Sequence, residues 1–412
     1  MAATNGTAPQ PHERLNGQFE PPSEWPTKSR PDARKDVWYY PADLANDLKD
    51  VGLSAAFAAE TLACAFEYTK CIIPQYTNWA RYLAYQRLIA VAVVAEYSGE
   101  LVDVARGPRL LGYDVNALVD ELFGGTPAVE TMRREFKASI LFTADKASGR
   151  RRAGLFRRYV DALAASPRQW FRLRDCDSLA RFTVLAALAC NDMLDAAFTD
   201  AQLEILSEIG VGLYDAVAFY KHRAEGETHS TYAYAGDAAR TEAYRRAREV
   251  LWALDAAGAR DRPLQVAINF ARFMGGPIHM MMRRYRFVEE DLRLGVPETE
   301  LVEEDARRHV RLWHRVEPTG DPAGDSRFEE VMAREDELLI PGMADMLRAD
   351  GGDRCGHCRF RHLYGAESSG RFGGVEVCGE CKQEWQEYLE TLPSRAAAAF
   401  PILNGFLKTS VA

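Results

Sequence analysis

Two groups of residues in this chain have types and spacings that could do chemistry. The first is Cys355-x2-Cys358, followed after nineteen intervening residues by Cys378-x2-Cys381. Paired CxxC knuckles present four thiolates to one tetrahedral Zn²⁺, and a closed Cys₄ shell makes such a zinc structural and not catalytic. Gly351, Gly352, Gly356, Gly373, Gly374 and Gly379 permit the tight turns such a site needs. His357 and His362 are alternative ligands only if a cysteine is missing. The second group joins arginines to acids. Arg172 and Asp175 lie in Ser166–Asp177, Asp215 opens a segment that ends in Glu225 and Glu227, and Arg284-Tyr285 follows a run of methionines. Arg172 precedes Asp215 by 43 residues and Arg284 follows it by 69. Planar guanidinium forks engage phosphate oxygens bidentately, and carboxylates hold Mg²⁺ whose other ligands are water and phosphate. Such a set could bind a diphosphate and stabilise it as a leaving group.

No DDxxD motif is present. The nearest upstream acids are Glu96, Glu100 and Asp103, at i, i+4 and i+7, which a continuous helix would place on one face. Around the second segment, positions i, i+4 and i+8 read Asp215, Phe219 and Arg223, so only Asp215 can bind metal, with Glu225 and Glu227 as substitutes just beyond. His222 shares a face with Asp215, but Mg²⁺ prefers oxygen, so it reads as a hydrogen-bonding or structural histidine. Trp79, Tyr82, Tyr85, Trp170, Phe171, Phe219, Tyr220, Phe273 and Phe287 are candidate pocket aromatics, although such stripes are mostly core.

Helices must position these groups. Beyond residue 35 apolar residues recur at three and four, and alternating strand patterns are scarce before about residue 355. Ser54 caps a helix to about Ile72. Others are expected from about Asn78 to Val104, Ala144 to Ala165, Ser178 to Cys190, and Thr199 to Arg223, with Thr199 and Gln202 forming a capping box. Pro263 opens a helix that meets Gly275-Gly276-Pro277, and the pattern resumes from His279 to Leu292. Helices 178–190 and 199–223 would form a hairpin with its turn at 191–198. At 1.5 Å per residue this brings Arg172, Asp175 and Asp215 to one end.

The chain has 412 residues, 47% of them hydrophobic, and a net charge of −9. That supports a large core and disfavours a nucleic-acid reader. No apolar run reaches membrane-spanning length and no secretory leader is evident. Scattered thiols fit a reducing cytoplasm. The expected organisation is a disordered tail at 1–35, an α-helical catalytic domain at 36–350, and a zinc-knuckle module with a C-terminal helix at 351–412.

The strings WYYPADLANDL from Trp38, SPRQWFRLRDCDSLARF from Ser166, YDAVAFYKHRAEGET from Tyr214 and GGPIHMMMRRYRFVEE from Gly275 resemble the fungal α-ionylideneethane synthases of abscisic acid biosynthesis, a group of atypical sesquiterpene synthases. The resemblance implies an all-α, class I terpene-synthase-like helical bundle that uses farnesyl diphosphate and Mg²⁺. In the class I layout a diphosphate-sensing Arg, an Asp three residues on and an effector residue correspond to Arg172, Asp175 and Cys176, and the downstream pair corresponds to Arg284-Tyr285. Arg172, Arg284, Tyr285 and Phe219 are then the expected substrate contacts. The ring of α-ionylideneethane forms at the end of the farnesyl chain remote from the diphosphate, so the route calls for proton loss to a neutral polyene and then reprotonation by an acid. Asp192 and Asp195, at the hairpin end opposite the diphosphate site, are the candidates, with distance as the objection: sixteen helical residues span roughly 24 Å. Competing readings are a head-to-head prenyl synthase or other prenyltransferase, and a zinc-bearing interaction protein without catalysis. Product and oligomeric state are not legible.

Overall fold

The computed structural model describes residues 37–163, 166–224, 230–285, 326–349, 355, 357–360, 375–376 and 378–407. The proposed tail lies outside them, as do Glu225, Glu227, Phe287 and His362. The architecture is all-α, with two short antiparallel strand pairs among the described residues, the first formed by β1 (Arg109–Leu110) and β2 (Tyr113–Asp114). From Trp38 onward it forms one compact unit.

Local chemistry explains the helix starts. The Ser54 hydroxyl accepts from the Phe57 amide to open α1 (Ala55–Ile72), and the Asn78 side chain accepts from Arg81 to open α2 (Trp79–Tyr97). Helix α2 is buried on nearly every side, which makes it the centre of the bundle. It packs against α1, α3 (Val115–Phe123) and α4 (Val129–Lys146). After α5 (Gly154–Leu163), Ser166 caps α6 (Pro167–Asp177) with proline in its first turn. Helices α7 (Ala180–Cys190) and α8 (Asp200–Val217) pack together as the expected hairpin, and the Thr199–Gln202 capping box is present in both directions. Short helices α9 (Phe219–Ala224) and α10 (Tyr232–Ala235) lead to the long α11 (Asp237–Ala257). Then come α12 (Arg262–Ala267), α13 (Asn269–Met274) and α14 (Pro277–Met281). Gly210 lets α13 approach α8: a Cβ there would lie 2.3 Å from the Phe270 ring.

Five expected helices are shorter or broken, among them the one from Pro263, which divides at Ile268 into α12 and α13. The one from Asn78 stops at Tyr97, because Gly99 lies against α4 so closely that a Cβ would sit 2.1 Å from the Ala144 carbonyl oxygen. The stretch 144–165 divides at a 3-10 turn, Gly149–Arg152, and the one from Thr199 breaks at Ala218. The stretch from His279 gives way after Met281 to a 3-10 turn, Arg283–Tyr285, and residues from 286 lie outside the described part.

The chain closes with α15 (Ser326–Met332), α16 (Glu335–Leu338), α17 (Met343–Arg348), α18 (Gly379–Glu390) and α19 (Leu392–Ala399). Strands β3 (Arg359–Phe360) and β4 (Val375–Glu376) pair antiparallel between the two cysteine knuckles. The described C-terminal helices pack on the bundle: α18 on α6 and α11, and α19 on α8 and α11.

Candidate functional site

A cavity with about 1020 Å³ of empty space, part of it open to solvent, lies between α2, α4, α6, α8 and α14. Each helix reaches it with one stripe. Ile89, Ala92, Val93 and Glu96 stand at i, i+3, i+4 and i+7 on α2, and Ser139, Thr143 and Lys146 at i, i+4 and i+7 on α4. Helix α6 contributes Arg174 and Asp177, and α8 contributes Val211 and Tyr214. Met274, Ile278 and Met282 add an apolar wall, and Tyr68, His222 and Tyr285 add rings. A long apolar wall with a few charged groups is the usual make-up of a small-molecule site.

The charged groups are tightly arranged. Asp215 is completely buried on α8. One of its carboxylate oxygens accepts from Arg174 Nη2 at 2.9 Å, and the other accepts from the Thr231 amide and hydroxyl, both at 2.7 Å. Burial pushes its pKa up, and the Arg174 charge and the Thr231 hydrogen bonds oppose that. Asp215 therefore holds Arg174, and both its oxygens are engaged. Arg174 also donates to Asp177, which has Lys146 Nζ 3.8 Å away. Around the cavity Glu96 and Asp177 balance Lys146 and Arg174 among the described side chains. A bound polyanion would need added positive charge. Mg²⁺ is commonly held by one or two carboxylates plus substrate phosphates, so Glu96 and Asp177 fit as its protein ligands.

The Tyr68 and Tyr214 hydroxyls stay protonated. Burial drives the Tyr68 pKa up, and burial followed by the neighbouring Tyr285 does the same for Tyr214. The Tyr214 and Tyr285 hydroxyls are 3.4 Å apart. The Tyr214 ring lies against both His222 and His279, with centroids 5.3 and 5.2 Å away.

The structure separates several residues that the spacing grouped. Arg172 and Asp175 line a different cavity, with about 700 Å³ of empty space that includes open solvent, on the other side of α6. There Arg172 pairs with the buried Glu135, and Asp175 accepts from the Arg181 amide and guanidinium at 2.8 and 2.6 Å. Cys176 is buried beside the Glu135 carbonyl. Glu96 reaches the main cavity. Glu100 does not share its face, because α2 has already ended, and it is exposed in the 3-10 turn Gly99–Leu101. Asp103 caps the next 3-10 turn and pairs with Arg327 at 3.1 Å. Tyr285 lines the cavity. The backbone of Arg284 lies in the adjoining turn, and its side chain is outside the described part. Phe219 is buried against Tyr220 and Arg240, away from the cavity lining.

Asp192 and Asp195 are exposed in the hairpin turn. Hydrogen bonds from Thr77 and Asn78 hold the Asp192 carboxyl below its usual pKa. It is ionised at neutral pH, the opposite of a stored proton.

Lys146, Arg174, Asp177 and Tyr68 were not singled out by spacing. A signal for Arg174 existed: Pro167, Trp170, Phe171 and Arg174 form an i, i+3, i+4, i+7 stripe, so Arg174 occupies an inward position where an apolar residue would be ordinary.

The four cysteines form a second centre. Their sulfurs all lie within 4.8 Å of one another, and the Cys355 and Cys378 sulfurs are 3.7 Å apart. Zn–S bonds of about 2.3 Å in a tetrahedron give sulfur–sulfur edges of about 3.8 Å, so the set fits Zn²⁺. His357 is exposed, 3.6 Å from Glu380.

No helix among the described residues is long and apolar enough to cross a membrane. Comparison with known proteins places the chain. It is similar to Alpha-ionylideneethane synthase aba3 of Botryotinia fuckeliana, with 54% identity over 378 residues, covering 92% of this chain and 86% of that protein. It is 53% identical over 371 residues to Alpha-ionylideneethane synthase abl3 of Leptosphaeria maculans, covering 90% and 87%. With the abl3 protein of Pyricularia oryzae it shares 47% identity over 429 aligned positions, covering 89% and 83%. The family described as Alpha-ionylideneethane synthase aba3 matches residues 36–402, and this chain belongs to that family.

Proposed function

We propose that this chain is a sesquiterpene synthase that ionises farnesyl diphosphate and forms a cyclic hydrocarbon, α-ionylideneethane. The observation that carries the reading is the cavity, where Arg174 and Lys146 stand at the charged part and aliphatic side chains and tyrosine rings line the remainder. The names of its relatives support the choice of product.

Arg174 offers a guanidinium fork to the diphosphate, and Lys146 adds a point charge. Asp215 and Thr231 keep the fork oriented. Glu96 and Asp177 would hold Mg²⁺, which would supply the further positive charge that a departing diphosphate needs. The faces of Tyr68, Tyr214 and Tyr285 stabilise the allylic cation, and the protonated hydroxyls of Tyr68 and Tyr214 do not compete as nucleophilic phenolates. Ring closure at the remote end of the chain then proceeds through proton loss to a neutral polyene and reprotonation. The four cysteines hold one structural Zn²⁺, and the protein works in the cytoplasm.

Incubation with farnesyl diphosphate and Mg²⁺, followed by gas chromatography with mass spectrometry, should yield a cyclic C15 hydrocarbon and one equivalent of pyrophosphate. Metal analysis should return one zinc per chain. Absence of any hydrocarbon from a folded, metal-replete protein overturns the reading.

A further inference from the structure

We infer that Trp170 and Thr231 are positioning residues for the diphosphate site, and that the four-cysteine segment, acting through Trp385, is part of that site's supporting wall.

The inference starts at Asp215. The Thr231 hydroxyl has one proton, and it goes to Asp215 at 2.7 Å. Its oxygen is left to accept, and Trp170 Nε1 donates to it at 3.0 Å. Indole nitrogen is a donor only, so the direction of the chain is fixed: Trp170 to Thr231, Thr231 to Asp215, with Arg174 donating to Asp215 from the other side. Trp170 and Thr231 are both fully buried. Without the hydroxyl, one oxygen of a buried carboxylate keeps only the backbone amide of residue 231, and the carboxylate that aims Arg174 is free to rotate.

Trp170 is itself held from the C-terminal segment. Its ring meets Trp385 edge-to-face, with centroids 5.9 Å apart and planes at 77°. One helical turn of α6 separates Trp170 from Arg174, so one face of α6 carries both the ring that is held and the guanidinium that is used. On α18 the same economy recurs. Cys378, Cys381, Trp385 and Tyr388 stand at i, i+3, i+7 and i+10, so two of the four sulfurs and both contact rings share one stripe. Tyr388 stacks on Phe171, the residue after Trp170, at 5.8 Å. Helix α10, which begins just after Thr231, packs against β4 and α18. The cysteine centre thus sets the start of α18, α18 places Trp385, and Trp385 supports the donor end of the chain that orients Arg174.

The inference rests on Arg174 contacting the diphosphate. The test uses the full-length protein, with inorganic pyrophosphate and Mg²⁺ in titration calorimetry and with farnesyl diphosphate in steady-state kinetics. Thr231→Val keeps the shape and removes the hydroxyl, and should weaken pyrophosphate binding about tenfold and raise KM in proportion. Thr231→Ser should restore both. Trp170→Phe keeps a ring and loses the N–H, and should weaken binding in the same direction. Trp385→Leu should weaken binding in the native background and add little to Thr231→Val, since both act on one chain. Cys378→Ser should follow Trp385→Leu. If Thr231→Val does not fold, Trp170→Phe and Trp385→Leu carry the test alone. Folded Thr231→Val and Trp170→Phe variants that bind pyrophosphate as well as the native protein overturn the inference. A native protein that binds no pyrophosphate overturns the diphosphate reading itself, and the inference with it.

Discussion

Helix α6 carries two arginine–aspartate sets of the same chemical make-up, and their surroundings give them different capacities. Arg172 and Asp175 line the second cavity: Glu135 and Arg181 occupy them, and Arg172 is held by carboxylates of its own chain. Arg174 and Asp177 belong to a cluster that faces the main cavity, where Lys146 and Glu96 also stand. Both arginines are held by carboxylates of their own chain, Arg174 by Asp215 and Asp177; the sets differ in the wall they share, which beside Arg174 carries Lys146, Glu96 and a long apolar face. A charged residue on a helix is therefore assigned to a site by the face it occupies and by what lines that face; its distance in sequence from the next motif is a weaker guide.

The largest expected effect separates these two arginines. Arg174→Gln removes a charged donor from the cavity while Asp215 keeps its Thr231 hydrogen bonds. Losing one strong donor to a leaving group costs on the order of 3 kcal/mol, so turnover of farnesyl diphosphate should fall roughly a hundredfold. Kinetics on the folded variant check this. Turnover within a few-fold of native would place the diphosphate elsewhere, and the Arg172 cluster would become the alternative.

Arg172→Leu should show the complementary pattern, with stability lost and chemistry kept. It strands Glu135, whose carboxyl burial already pushes up in pKa while Arg172 opposes the shift. Breaking a buried pair in this way costs about 3 kcal/mol. The sign of its pH dependence follows. A carboxyl whose folded pKa is raised favours the folded state most below its unfolded pKa, and that contribution is lost as pH rises through the folded value. Removing Arg172 strengthens the raise. The melting-temperature gap between native and Arg172→Leu proteins should therefore be widest near neutrality and narrow as pH falls into the carboxylate range. A gap that widens on acidification would show that Glu135 is not the stranded group.

Much of the fold was legible from local patterns. Ser54, Asn78 and the Thr199–Gln202 box are caps whose side chains bond to amides three residues away, so nearby sequence decides them. The cysteine spacing was legible for the same reason. The interruptions were not. Tyr97 ends α2 because Gly99 meets Ala144, and nothing within residues 90–105 announces a contact with α4. The site was half legible. Glu96, Asp215 and Tyr285 could be named, but the ligand set of Glu96, Glu100 and Asp103 assumed a helix that tertiary packing cuts short. Arg172 was favoured over Arg174 by family spacing, although the apolar stripe of α6 runs through Arg174. Lys146 carried no signal, since its role depends on where α4 crosses α6.

A smaller effect tests the acids of that interrupted face. Glu96→Gln should lower kcat/KM about tenfold and raise the Mg²⁺ concentration needed for half-maximal rate, as expected when a carboxylate ligand of Mg²⁺ becomes neutral. Glu100→Gln changes an exposed side chain outside the cavity and should leave both unchanged. Equal effects from the two would mean that Glu96 acts through net charge and not through contact.

The smallest expected effect concerns the far end of the α7–α8 hairpin. Asp192 adopts a left-handed backbone conformation, φ 53°, and its two oxygens accept from Thr77 Oγ1 at 2.7 Å and Asn78 Nδ2 at 3.0 Å. These bonds tie the hairpin turn to the start of α2. They favour the ionised carboxylate, so its pKa is lowered, and its contribution to stability is present above the unfolded pKa and fades as pH falls through the folded one. An acid that must deliver a proton to a carbon chain has to be protonated and within reach, and Asp192 is exposed, ionised and absent from the cavity lining. Asp192→Asn should therefore give the native product at the native rate, with a melting temperature within a degree or two of native, since exposed pairs contribute little. Accumulation of an acyclic polyene by this variant would reverse the comparison and make the hairpin turn the proton source after all.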